Sequence, residues 1–138
     1  GNLVDPFLPG TKGASVQALT NAVRNVVIAK DSNILGSASV YLEGRRQFVR
    51  TQETNLGNLT ADANLAFAQS VDPTVLVSHK NGGGIRNPIG SIDGLTGELL
   101  PTAANPISGK LAGQISQLDV EDSLRFNNAL TLFTVSRE

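Results

Sequence analysis

Two arginines of this sequence stand beside turns rich in backbone amides. Arg86 closes "NGGGIR" (81–86), and Arg50 precedes "TQETNLGN" (51–58). A guanidinium is a planar fork that grips a carboxylate or phosphate through two parallel hydrogen bonds. Successive N–H groups without side chains form an anion-binding nest. The chemistry on offer is recognition of an anion by Arg50, Arg86 and the amides of Gly82, Gly83 and Gly84. A plainer reading has the glycines supplying positive φ in a turn while Arg86 points to solvent. The residues alone leave both open.

Standard phosphate loops fail on spacing. A Walker A loop needs G-x-x-x-x-G-K-[ST], and around Gly109-Lys110 it meets Ala104 and Leu111 instead. A dinucleotide fingerprint started at Gly82 ends on Asn87, and Pro88 interrupts any helix there.

Composition narrows the classes further. The chain has 138 residues, 40% hydrophobic and 17% charged, which is the make-up of one globular domain. A net charge of −1 leaves no basic footprint for nucleic acid or a membrane surface. There is no cysteine and one histidine, His79, so thiolate zinc sites and His-rich metal centres are excluded. A serine–histidine–acid triad would depend on His79, and no G-x-S-x-G elbow exists. No apolar run approaches the roughly 20 residues of a membrane helix.

The elements that must position the arginines follow from periodicity. Residues 1–13 read as a linker. Val16, Leu19, Ala22, Val23, Val26 and Val27 predict an amphipathic helix over 14–30, followed by a turn that runs to 35. Alternation predicts a strand over 36–44, and "LGNLTADANLAFAQSV" predicts a helix capped by Thr54 or Asn55. "TVLVSHK" (74–80) and "ALTLFTVSR" (129–137) read as strands, with hairpin signals at Asp93-Gly94 and Thr96-Gly97. "GELLPTAANPISGKLAGQIS" reads as an excursion outside the core, and 118–126 as a short helix capped by Asp119. The fold class expected is α+β, a mixed β-sheet packed with helices.

Taken together, three ordered motifs resemble the C-terminal domain of the 5′-nucleotidase family. The family pattern E-x-N-x-G-N-x-x-x-D-A is met by Glu53, Asn55, Gly57, Asn58, Asp62 and Ala63, and N-G-G-G-I-R by Asn81 to Arg86. The third motif is met at Phe126, Asn128 and Leu130, and the likeness runs over about residues 36–137. The resemblance implies a substrate-binding domain over 36–138, joined through an interdomain-type helix and turn, 14–35, to a separate N-terminal metallophosphoesterase domain that carries two divalent metal ions. It implies no catalytic residue, metal or cofactor in this chain. Arg50 and Arg86 would contact phosphate or ribose oxygens, Asn81 would bind ribose or brace the loop, and Phe126 would stack on a base. Gly82 to Gly84 would let the ligand approach the backbone, with Asn128 beside them. A nucleotide or nucleoside partner and a periplasmic or extracellular location are the matching expectations.

Departures from the pattern belong to the same reading. Arg125 stands where the family has proline, and Thr51 and Gln52 replace a third arginine. The family domain continues with a second stacking aromatic and a ribose-holding aspartate, so the chain is expected to be a truncated fragment. The rival expectation is a non-catalytic interaction or structural module that keeps the fold without nucleotide binding.

Other candidates have plainer readings. Asp119, Glu121 and Asp122 suit a capped helix start better than Mg²⁺. Glu53 and Asp62 fall on different helix faces. Arg45-Arg46 suits a solvated turn, with a hinge or substrate-facing role as the alternative. Phe67 and Phe133 suit the core, Phe48 the core or a pocket wall, and His79 a strand end.

Overall fold

The structure, a computed structural model, describes residues 5–136. Helix α1 (Lys12–Ser32) begins where the Thr11 hydroxyl accepts the Ala14 N–H at 3.1 Å, satisfying one donor of the first turn. It starts inside the segment expected as linker. The short helix α2 is Arg46–Val49, and α3 is Asn55–Val71. Thr54 caps α3, its hydroxyl accepting Gly57 N–H at 3.1 Å, as expected. The helix ends at Asp72, which Pro73 holds out of the helical region.

Strands are few and short. Strand β1 (Ile34–Ser37) pairs antiparallel with β4 (Gln114–Ser116), Ile34 opposite Ser116. Strands β2 (Ser91–Ile92) and β3 (Leu99–Leu100) form the hairpin that Asp93-Gly94 and Thr96-Gly97 signal. Its turn is held by Asp93 Oδ1, which accepts the N–H groups of Leu95 and Thr96, and by Gly97 at φ +75°. Helix α4 (Gln117–Ser123) follows β4 directly. The class is α+β, as the sequence indicates, with its strands in two small antiparallel sheets.

Several expected elements take another form. The strand over 36–44 is β1 at Ile34–Ser37, followed by an isolated bridge, Leu42 to Ile89. Residues 74–80 form no strand, and Leu76 and Val77 are 83% and 80% exposed. Residues 129–136 likewise form no strand, and residue 137 lies outside the described residues. A strand exists only through a partner's hydrogen bonds, and no described segment pairs with either. Phe67 and Phe133, expected in the core, are exposed, as is the α1 stripe of Val16, Leu19, Val23 and Val26.

The core is Leu42, Leu56, Ile85 and Ile89, with Val49, Ile115 and Leu124 packed against it. Ile85 immediately follows the glycine turn and Val49 immediately precedes Arg50, so the core anchors both arginine-bearing segments. A second centre is polar. Asp31, at the end of α1, accepts hydrogen bonds from Asn105, Ser108 and Ser116 at 2.7, 2.6 and 2.9 Å. It also pairs with buried Lys110 at 2.7 Å, and Lys110 reaches Asp119 at 3.1 Å. The stretch expected as an excursion therefore packs inside, through Thr102 and Lys110. Burial opposes the charge on Asp31, but Lys110 and the three donors outweigh it and hold the carboxyl well below the usual carboxylate range. Burial opposes the charge on Lys110 as well, and Asp31 and Asp119 reverse it, raising the ammonium pKa above the ordinary lysine value.

Candidate functional site

The glycine turn is a single 3-10 turn, Gly82–Gly84. Asn81 caps it, its Oδ1 accepting the Gly83 N–H at 3.0 Å, which fits the loop-bracing role. None of the three glycines has positive φ, so that part of the plainer reading fails, whereas Arg86 is exposed as that reading has it. Their absent side chains have separate reasons. A Cβ on Gly82 would stand 1.9 Å from the Val49 carbonyl oxygen, so this glycine is pressed against the backbone at the end of α2. A Cβ on Gly83 would meet Asn81 Oδ1 at 3.2 Å and Arg50 Nη2 at 3.5 Å, whereas Gly84 faces open space. The close approach of Gly82 to Val49 seats the Arg50 guanidinium beside Gly83.

The aromatic partner belongs to Arg86, just after the turn. The Arg86 guanidinium lies over the Phe126 ring, 5.5 Å from its centroid, within cation–π range. Phe126 is 51% exposed, leaving ring surface free. Arg46, Arg50 and Arg86 pair with no carboxylate among the described residues. Arg45 differs. It grips Glu43 through Nε and Nη2 and covers Phe48, 4.5 Å from the ring centroid. Its hydrogen bonds outweigh burial and hold the Glu43 carboxyl below its ordinary value. Arg45 is thus a structural clamp, and Phe48 is its half-buried platform.

Of two depressions, one lies along α2 and the other reaches the turn at Gly82. One, of about 550 Å³, is lined by Arg45, Arg46, Gln47, Arg50 and Thr51. The other, of about 250 Å³, lies at the start of α3 and includes Glu53, Asn58, His79 and Gly82. Glu53 accepts Asn58 Nδ2 at 2.7 Å, so it braces the start of α3. Asn55, matched only as part of a motif, ties segments together: Oδ1 accepts Glu43 N–H at 2.7 Å, and Nδ2 donates to the Tyr41 carbonyl at 2.8 Å.

The structure thus gathers Arg50, Asn81 and Gly82 to Gly84 at the turn itself, and brings Arg86, two residues beyond it, together with Phe126. Asn128 is exposed and its side chain makes no hydrogen bond among the described residues. Asp119 is not the α4 cap. Ser116 is, and Asp119 completes a reciprocal capping box from the third helical position. Ser123 and Asn87, which join α4 to the exit of the turn, escaped the sequence reading. Serine before an arginine and a phenylalanine carries no motif signal. Among the described residues, no three His, Asp or Glu side chains gather so as to hold a metal ion. No described helix is long and apolar enough to cross a membrane.

No family model matches the chain. Among curated proteins it is similar to the trifunctional nucleotide phosphoesterase protein YfkN of Bacillus subtilis (strain 168), 46% identical over 66 residues. That segment covers 48% of this chain and 4% of the relative, so the chain corresponds to a small part of that protein. The geometry around the glycine turn accordingly belongs to a chain related to a nucleotide phosphoesterase.

Proposed function

We propose that this chain recognises the nucleoside part of a nucleotide or nucleoside for a 5′-nucleotidase-like phosphoesterase. In this reading hydrolysis belongs to a separate, N-terminal domain of the same polypeptide that carries the divalent metal ions, and the protein works outside the cytoplasm. The observation that carries the proposal is the Arg86 guanidinium over a half-exposed Phe126 ring beside a bare glycine turn. A base stacks on the open face of Phe126, Arg86 bonds ribose or phosphate oxygens, and Arg50 with Arg46 supplies positive charge for the phosphate. Gly84 offers backbone with no Cβ between it and the ligand. The segment similarity to a nucleotide phosphoesterase supports the same ligand class.

Titration with AMP, adenosine and UMP, followed by backbone NMR, tests the reading. Millimolar AMP is expected to shift residues 81–86 and 126. Unmoved signals there would overturn it.

A second reading, an interaction module without nucleotide binding, is favoured by the exposed apolar stripe of Val16, Leu19, Val23 and Val26 on α1. In that case AMP leaves the spectrum unchanged, while Val23→Asp alters the self-association or partner binding of the full polypeptide.

A further inference from the structure

We propose that Ser123 is a positioning residue, which through a hydrogen-bonded clip to the exit of the glycine turn sets the Phe126 ring against Arg86. Its functional consequence rests on the nucleotide reading; its geometric content does not. Ser123 is fully buried at the end of α4. Its carbonyl accepts the Arg86 N–H at 2.9 Å, and its hydroxyl donates to the Asn87 carbonyl at 2.8 Å. The side chain of Asn87 returns the contact, Nδ2 donating to Asp122 Oδ2 at 2.6 Å. Arg125 folds back on the same aspartate, Nη2 donating to Oδ1 at 2.7 Å and to the Asp122 carbonyl at 3.1 Å.

Three hydrogen bonds thus lock Asp122 and Ser123, at the end of α4, to Arg86 and Asn87, the two residues that leave the turn. Past Leu124, the described chain has no regular structure, and apart from Arg125 it makes no hydrogen bond to the body among the described residues. The ring of Phe126 is half exposed, so core packing does not fix it either. Its place over Arg86 follows from the three-residue reach from Ser123. Arg125, held by Asp122, stiffens the turn in which it lies.

The clip is tested in the full chain without ligand first. A ring-current shift of the Arg86 side-chain protons by Phe126 marks the pair in NMR spectra. Ser123→Ala, which removes the hydroxyl bond and keeps the backbone one, is expected to reduce that shift, and Ser123→Thr, which keeps the hydroxyl, to restore it. Asn87→Ala, at a half-exposed site, is expected to weaken it and serves where the buried variant does not fold. AMP affinity is expected to fall about fivefold to tenfold with the shift, the scale of one net hydrogen bond. An unchanged Arg86 shift in folded Ser123→Ala or in Asn87→Ala overturns the clip. A reduced shift with unchanged AMP affinity upholds the clip and overturns the nucleotide reading instead.

Discussion

A methyl group on Gly82 would stand 1.9 Å from the Val49 carbonyl oxygen, whereas one on Gly84 meets nothing within 4 Å. Glycines of one turn therefore answer different demands, packing at the first and, in the nucleotide reading, ligand access at the last. Gly82→Ala is expected to cost about 1–3 kcal/mol or more, because a backbone atom cannot yield as a side chain does. Gly84→Ala is expected to leave stability within about 1 kcal/mol and to weaken AMP binding. Thermal unfolding beside the AMP titration separates the two. Phe126→Ala touches no core contact and is expected to reduce AMP affinity by about 1–3 kcal/mol, read by calorimetry, while the melting temperature stays put.

Helices whose causes lie within a few residues were legible. Thr54 caps α3 through a hydroxyl three residues from its donor, a signal written locally. Thr54→Ala is expected to cost about 1 kcal/mol in urea unfolding, since it leaves the Gly57 N–H without its partner. The α4 cap was misread because Asp119 is itself a good capping type, and only the reciprocal bonds with Ser116 show which residue opens the helix. Strands at 74–80 and 129–136 were not legible, since Val, Leu and Thr record a preference for a pleated surface while pairing depends on distant chain. The arginine and glycine residues of the site were legible as types. That Arg50 flanks Gly83 while Arg86 meets Phe126 was not, because the approach of Gly82 to Val49 and the Ser123 clip both span long separations.

At the scale of the molecule, the polar centre around Asp31 and Lys110 joins the end of α1 to the 101–113 stretch and the start of α4. Removing one partner of a buried pair strands the other. Asp31→Asn is therefore expected to cost about 3–5 kcal/mol, measured by urea unfolding near neutral pH. Its pH dependence follows from the two shifts. Asp31 is depressed in the fold, so its contribution is complete above the unfolded value of about 3.9 and is lost as pH falls below it. Lys110 is raised, so its contribution is complete below about 10.4 and is lost as pH rises through the folded value. The wild type is expected to lose more stability between pH 6 and 3 than Asp31→Asn does, a comparison made by urea midpoints at each pH.

The partners of Asp31 lie between 74 and 85 residues further along the chain. Closing loops of that length costs entropy before any contact offsets it, so these bonds are expected to form after the barrier to folding has been crossed. Asp31→Asn should then refold at nearly the wild-type rate and unfold faster, by about a hundredfold for a 3 kcal/mol loss. Stopped-flow chevrons read both limbs, and a slowed folding limb would place the pair in the nucleus instead. A salt link at the end of the first helix thereby acts as a latch on the lifetime of the native state.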